Sequence, residues 1–299
     1  MKRGVAIVGA ITMIVASLLI RARLDDDSGG SGGVTRIADG QTTIVCVTDL
    51  ADACHAAYGD GVTIEDATTT AQHLAAGSAN IDAWITFSAW SDALIADNVT
   101  PALDVKPVAS TQLVIAAVQQ RSVHLQCAAD GWKCWLDAAG KPWNTVGGEA
   151  SWGNVTVGVP PYSSATGLLV QGSAATAYYG STDVGTNDDQ YAQSRAALGK
   201  ATQDPNVLDN FISQLPAKYS AVGALEADVD AKQGTKANQI RTYLLTPPAF
   251  ATAVVAHVAG GDSVDASKLA KALTTSGWTA PVASSGMPDG GVLLALSGI

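Results

Sequence analysis

Four polar segments of this chain stand where short apolar runs begin or end, the places at which open α/β sheets present backbone N–H groups and hydroxyls to a ligand. They are Thr48-Asp49 after the run at 43–47, Ser88-Ala89-Trp90-Ser91 after 82–87, Ser110-Thr111-Gln112 at the head of 112–118, and 160–167 after 153–158. The last, Pro160-Pro161-Tyr162-Ser163-Ser164-Ala165-Thr166-Gly167, is the most specific. Two prolines stiffen it, a hydroxyl from Ser163, Ser164 or Thr166 caps the helix that follows, and Gly167 admits a close backbone approach. Such a turn suits a carboxylate, a phosphate-like group or another oxyanion. The plainer reading is a helix cap without a ligand. Glu226 closes the run at 221–225 and is followed by Asp228 and Asp230. It is either an exposed carboxylate or a polar contact on the floor of a cleft.

Motifs for nucleophilic, metallo- or nucleotide chemistry (G-x-S-x-G, H-E-x-x-H, a Walker loop, G-x-G-x-x-G) do not occur. The four histidines, His55, His73, His124 and His257, stand singly, and no nucleophile is paired with a base at a recognisable spacing. An enzyme is therefore not expected, and no cofactor is implied. The four cysteines form two close pairs, Cys46 with Cys54 and Cys127 with Cys134. In an exported chain this reads as two disulfides, one stapling a strand to the next helix and one closing a turn-rich loop. Free buried thiols and a metal site are the alternatives, the metal lacking a C-x-x-C unit. Of seven tryptophans, Trp84 alternates within a strand and belongs to a core, whereas Trp90, Trp143 and Trp152 stand beside small polar residues, either lining a cleft or covering the core.

The elements that must position these groups alternate. Strands are expected at 43–47, 61–64, 82–86, 112–118, 153–158, 221–225 and 249–258, and helices at 50–58, 70–76, 134–139, 166–179, 206–215 and 266–275. Apolar strands separated by helices imply α/β architecture with a parallel sheet covered on both faces. Two such sets, joined by a crossover near 106–112, suggest two lobes.

Ahead of this body lies a 17-residue stretch from Gly4 to Ile20 without a charge, flanked by Lys2-Arg3 and Arg21-Ala22-Arg23. At 1.5 Å per residue it spans about 26 Å, the short end of a bilayer crossing. Residues 1–23 read as an uncleaved signal-anchor with the amino terminus inside, the alternative being a cleaved signal peptide. Residues 24–41, rich in Asp, Gly and Ser, form a flexible tether with a reach of about 20–25 Å. The expected location is the cell membrane, single-pass, with the soluble body on the extracytoplasmic side. A formal charge of −10 leaves no basic stripe, which excludes nucleic acid as a partner.

The succession Asp82-Ala-Trp-Ile-Thr-Phe-Ser-Ala-Trp90, Val108-Ala-Ser-Thr-Gln-Leu-Val-Ile-Ala-Ala117, Val157-Gly-Val-Pro-Pro-Tyr-Ser-Ser-Ala-Thr-Gly167 and Val222-Gly-Ala-Leu-Glu226 resembles bacterial extracellular solute-binding proteins of the type II periplasmic fold. It is similar in style to the membrane-anchored substrate-binding domains of high-GC Gram-positive bacteria. Molybdate-binding proteins have the same order, with a tyrosine where this chain reads Leu225-Glu226. The resemblance implies two lobes closing on a hinge over a small solute. The two strand–helix sets and the return strand at 249–258 place the α/β lobes at 42–106 with 244–299 and at 107–243, and the turn at 160–167 puts an oxyanion or carboxylate among the candidate solutes. The contacts expected are Thr48, Ser88, Trp90, Ser110, Ser164, Thr166 and Glu226. Partners would be the solute, the membrane through the N-terminal helix, and an ABC permease or a sensing system. The competing expectation is a ligand-free docking module that keeps the fold and works with a separate surface protein.

Overall fold

The computed structural model describes residues 42–299 apart from 78–79, 99–101, 126, 128–130 and 283–285. The anchor and tether expected at 1–41 lie outside the described residues. Among the described residues, no helix is long and apolar enough to cross a membrane.

Nine strands and eleven α-helices follow one another along the described chain. In order they are β1 (Ile44–Val47), α1 (Ala51–Tyr58), β2 (Val62–Glu65), α2 (Ala67–Ala75), β3 (Ala83–Phe87), α3 (Ser88–Ala96), β4 (Leu103–Val118), α4 (Gln119–Leu125) and α5 (Gly131–Ala138). Then come β5 (Val157–Val159), α6 (Ala165–Tyr179), α7 (Asp189–Leu198), β6 (Thr202–Gln203), α8 (Val207–Ser213), β7 (Ala221–Leu225), α9 (Glu226–Gln233), β8 (Ile240–Leu244), β9 (Phe250–Val258), α10 (Ala266–Thr275) and α11 (Gly290–Ser297).

The strand order is β2-β1-β3-β9-β4-β7-β5-β6, with β8 also paired to β4. The β1, β2 and β3 ladders are parallel, as are those of β5 with β6 and β7. The expectation of wholly parallel sheets does not hold for β4 and β9, which run antiparallel to their neighbours. The long strand β4 is the reason. Its residues 103–112 pair with β9, and residues 113–118 pair with β7 and β8, so one strand serves two sheets. The ladder slips between Pro107 and Ala109, where proline has no N–H to give. The chain passes between the two sheets twice, once inside β4 and once between β8 and β9.

Alternation along β4 sets which side each residue serves. Leu113, Ile115 and Ala117 enter the main core, while Val114, Ala116 and Val118 face a smaller cluster with Val207, Phe211, Tyr219 and Val222. The main core is continuous between the lobes and holds Trp84 and Ile85 of β3 together with Trp132, Trp135 and Leu168. Helix α6 runs through its middle, and of its fifteen residues only Ala177 and Tyr179 escape full burial. Both expected disulfides are formed: Cys46–Cys54 with Cα atoms 6.6 Å apart and Cys127–Cys134 with 5.4 Å.

Candidate functional site

The amino terminus of α6 is built as the spacing of its residues predicts. Ser164 is the N-cap, and its hydroxyl accepts a hydrogen bond from the Gly167 N–H at 3.0 Å. Gly167 is required there, because a Cβ would stand 1.9 Å from the Pro161 carbonyl oxygen. An α-helix leaves its first N–H groups without intrahelical partners, and here each has one. Asp49, in the 3₁₀ turn Thr48–Leu50 after β1, presents its carboxylate to them from 117 residues away. Its Oδ2 accepts from the Ala165 N–H at 3.1 Å, and its Oδ1 accepts from the Thr166 N–H at 3.0 Å and the Thr166 hydroxyl at 2.5 Å. The Leu168 N–H donates to the Ser164 carbonyl at 3.3 Å. A second strap lies alongside: the N–H and hydroxyl of Thr68 in α2 both donate to the Ser163 carbonyl, at 3.1 and 3.0 Å. The position expected to receive an oxyanion is thus occupied by a carboxylate of the chain itself, a favourable placement beside the positive end of the helix.

Around the start of α9 the charge is acidic. Asp228 is half-buried, and its carboxyl is pushed up to about 6, chiefly by burial; Asp49, Asp209 and Asp52 add to the rise and Lys232 opposes it. Glu226, the first residue of α9 rather than the last of a strand, is also raised, by burial and then by Asp230. Glu226 and Asp230 line a groove of about 320 Å³ with Thr111, Ala227, Thr275 and Ser276. Thr111 is buried, and its hydroxyl accepts from the Ala227 N–H at 3.2 Å, so β4 caps α9. Since Ser276 follows α10, the groove lies on the seam between the sheets.

The seven expected contacts do not form one cluster. Ser164 and Thr166 meet at the α6 terminus, engaged as described. Glu226 lies in the seam groove. Thr48 is exposed at the start of its turn, and Ser88 is half-buried in the first turn of α3. Trp90 corrects the expectation: it lies in α3 rather than a loop, wholly buried, and cannot cover a solute. The N-cap of α3 is Phe87, which makes no capping hydrogen bond, so no polar residue announces the helix. Ser110 is corrected too. Its buried hydroxyl is 2.8 Å from the Thr252 hydroxyl and accepts from the Val282 N–H at 2.9 Å, clamping β4 to β9 and to the segment that follows α10. Trp143 is buried, and Trp152 packs edge-on to it with Arg121 over its ring. The residues missed were Asp49 and Asp228. Asp49 had a signal, since it stands two residues after β1 and inside the loop closed by Cys46–Cys54.

Among the described residues, no group of three His, Cys, Asp or Glu side chains could hold a metal ion. No family model matches the sequence, and no curated protein matches it. Solved structures do. The chain is similar to iron-bound HitA from Pseudomonas aeruginosa, with a TM-score of 0.57 at 12% identity over 86% of this chain and 98% of that one. It is also similar to a periplasmic thiamin binding protein, with a TM-score of 0.54 at 13% identity over 83% and 85%. With its two sheets threaded by β4 and crossed twice by the chain, this protein has the two-lobed α/β fold of these binding proteins.

Proposed function

We propose that the chain is a membrane-tethered extracellular solute-binding protein that captures a small polar solute between its lobes for ABC-type uptake or sensing. The observation that carries the reading is the groove on the seam, where Glu226 and Asp230 of α9 and Thr111 of β4 face the end of α10. In this reading the lobes are 42–106 with 244–299 and 107–243, residues 1–23 hold the protein in the membrane, and the work is capture rather than catalysis. The similar proteins are named for iron and for thiamin, so the fold sets the manner of capture and leaves the solute to the groove.

A thermal-shift panel of amino acids, amines, sugars and oxyanions on the 42–299 fragment tests it. A ligand present at about a hundred times its Kd adds about 2.7 kcal/mol of stability. The responsive compound should lose its effect in Glu226→Gln. A panel with no response, together with one fixed scattering profile in every condition, would replace this reading with the docking module. One observation favours that second reading: the α6 terminus already has an anion, supplied by Asp49.

A further inference from the structure

We infer that Asp49 is a built-in stand-in for a bound anion, holding the lobes together without solute and excluding anionic solutes from the α6 terminus. The inference rests on the solute-binding reading only for its bearing on specificity; the latch itself stands on hydrogen bonds.

The accounting is complete at this terminus. The Ala165 and Thr166 N–H groups and the Thr166 hydroxyl are spent on Asp49, the Gly167 N–H on Ser164, and the Leu168 N–H on the Ser164 carbonyl. No backbone N–H of the first turn is left for a sulfate, phosphate or carboxylate, and an anion brought there would stand against the Asp49 charge. The contact joins the lobes, because Asp49 follows β1 in one sheet and α6 follows β5 in the other. The Thr68 strap crosses the same gap beside it. The latch is also held in place. Asp49 lies in the short loop closed by the buried Cys46–Cys54 bridge, which limits how far its turn can withdraw. An anionic solute therefore gains the α6 terminus only by displacing a charged group that is tethered beside it. The seam groove is a separate place, and its Glu226 and Asp230 carboxylates do not favour an anion either.

Hydrogen exchange with sulfate as the probe tests the latch, at ionic strength matched with sodium chloride. In the full-length wild-type protein, protection of the Ala165 and Thr166 amides should not respond to sulfate. In Asp49→Ala those amides should exchange about ten- to a hundredfold faster, the loss of charge-assisted hydrogen bonds, and sulfate should restore their protection saturably. Asp49→Asn, which keeps the shape and one acceptor, should fall between the two and keep the sulfate response. Unchanged protection in both variants overturns the inference, and so does a saturable sulfate response in the wild type, which needs no variant to fold. The solute panel on the wild type is a separate readout: a panel without a hit removes the solute-binding reading and leaves the exchange result to decide the latch.

Discussion

At the scale of single residues, the carboxylates near the seam carry the consequential chemistry. Asp228 is the clearest case, its carboxyl raised from 3.8 to about 6 chiefly by burial. A raised carboxyl binds its proton more tightly in the folded chain. Its contribution to stability is therefore fully present below about pH 4 and is lost as the pH rises through about 6. Asp228→Asn removes the penalty of burying that charge and should stabilise the protein by about 1–3 kcal/mol at pH 7.5, with little change at pH 4. Urea denaturation at the two pH values checks this, and equal midpoints for variant and wild type at pH 7.5 would contradict it.

At the scale of elements, α6 decides how closely the lobes approach. Two of its glycines are packed against other parts of the chain, with different consequences. A Cβ on Gly167 would meet the backbone carbonyl of Pro161 at 1.9 Å, which cannot move without dismantling the turn that carries Ser163 and Ser164. A Cβ on Gly172 would meet the Met287 methyl at 2.2 Å, the far end of a flexible side chain. Gly167→Ala should therefore cost about 3 kcal/mol or more, and Gly172→Ala about 1–2 kcal/mol. Thermal melts of the two variants give the order, and a reversed order would show that the α6 turn is softer than its packing indicates. The elements that escaped the sequence are α3, α4, α7, α9, α11, β6 and β8, and three of these helices share a trait. Helix α3 buries Ala89, Trp90, Ser91, Ala93 and Leu94, α11 is Gly-Gly-Val-Leu-Leu-Ala-Leu-Ser, and α9 is polar nearly throughout. None shows the one-sided pattern by which a helix is recognised, because α3 and α11 pack on more than one side and α9 buries only Ala227 and Val229.

At the scale of the molecule, the lobes share one core. Trp84, Ile85 and Leu94 belong to the same apolar cluster as Trp132, Leu136 and Leu169. Chains whose lobes meet only across a wet cleft can unfold in parts, whereas a shared core couples them. Calorimetry of the 42–299 fragment should give a single transition with equal calorimetric and van't Hoff enthalpies. Two resolved transitions would mean that α6 belongs to one lobe alone and that the apolar seam contributes little.

The order of residues was enough for the strands at β1, β3 and β7, whose apolar runs are bounded by turn residues, and for α10, capped by Asp265. It was enough for both disulfides, since each pair is close in sequence, and for Gly167, whose place after two prolines marks a tight turn. These are local facts, set by propensity, capping and short loops. Which group fills the α6 terminus, whether Trp90 faces a solute, and whether the Ser110 hydroxyl is free were decided by tertiary structure. Asp49 is 117 residues from Thr166 and Ser110 is 142 from Thr252, so their hydrogen bonds exist only once β4 and β9 have joined the two sheets. A hydroxyl or helix N–H shows its type in the sequence, but its partner is supplied by whatever the fold packs against it, and here that partner was a carboxylate of the same chain.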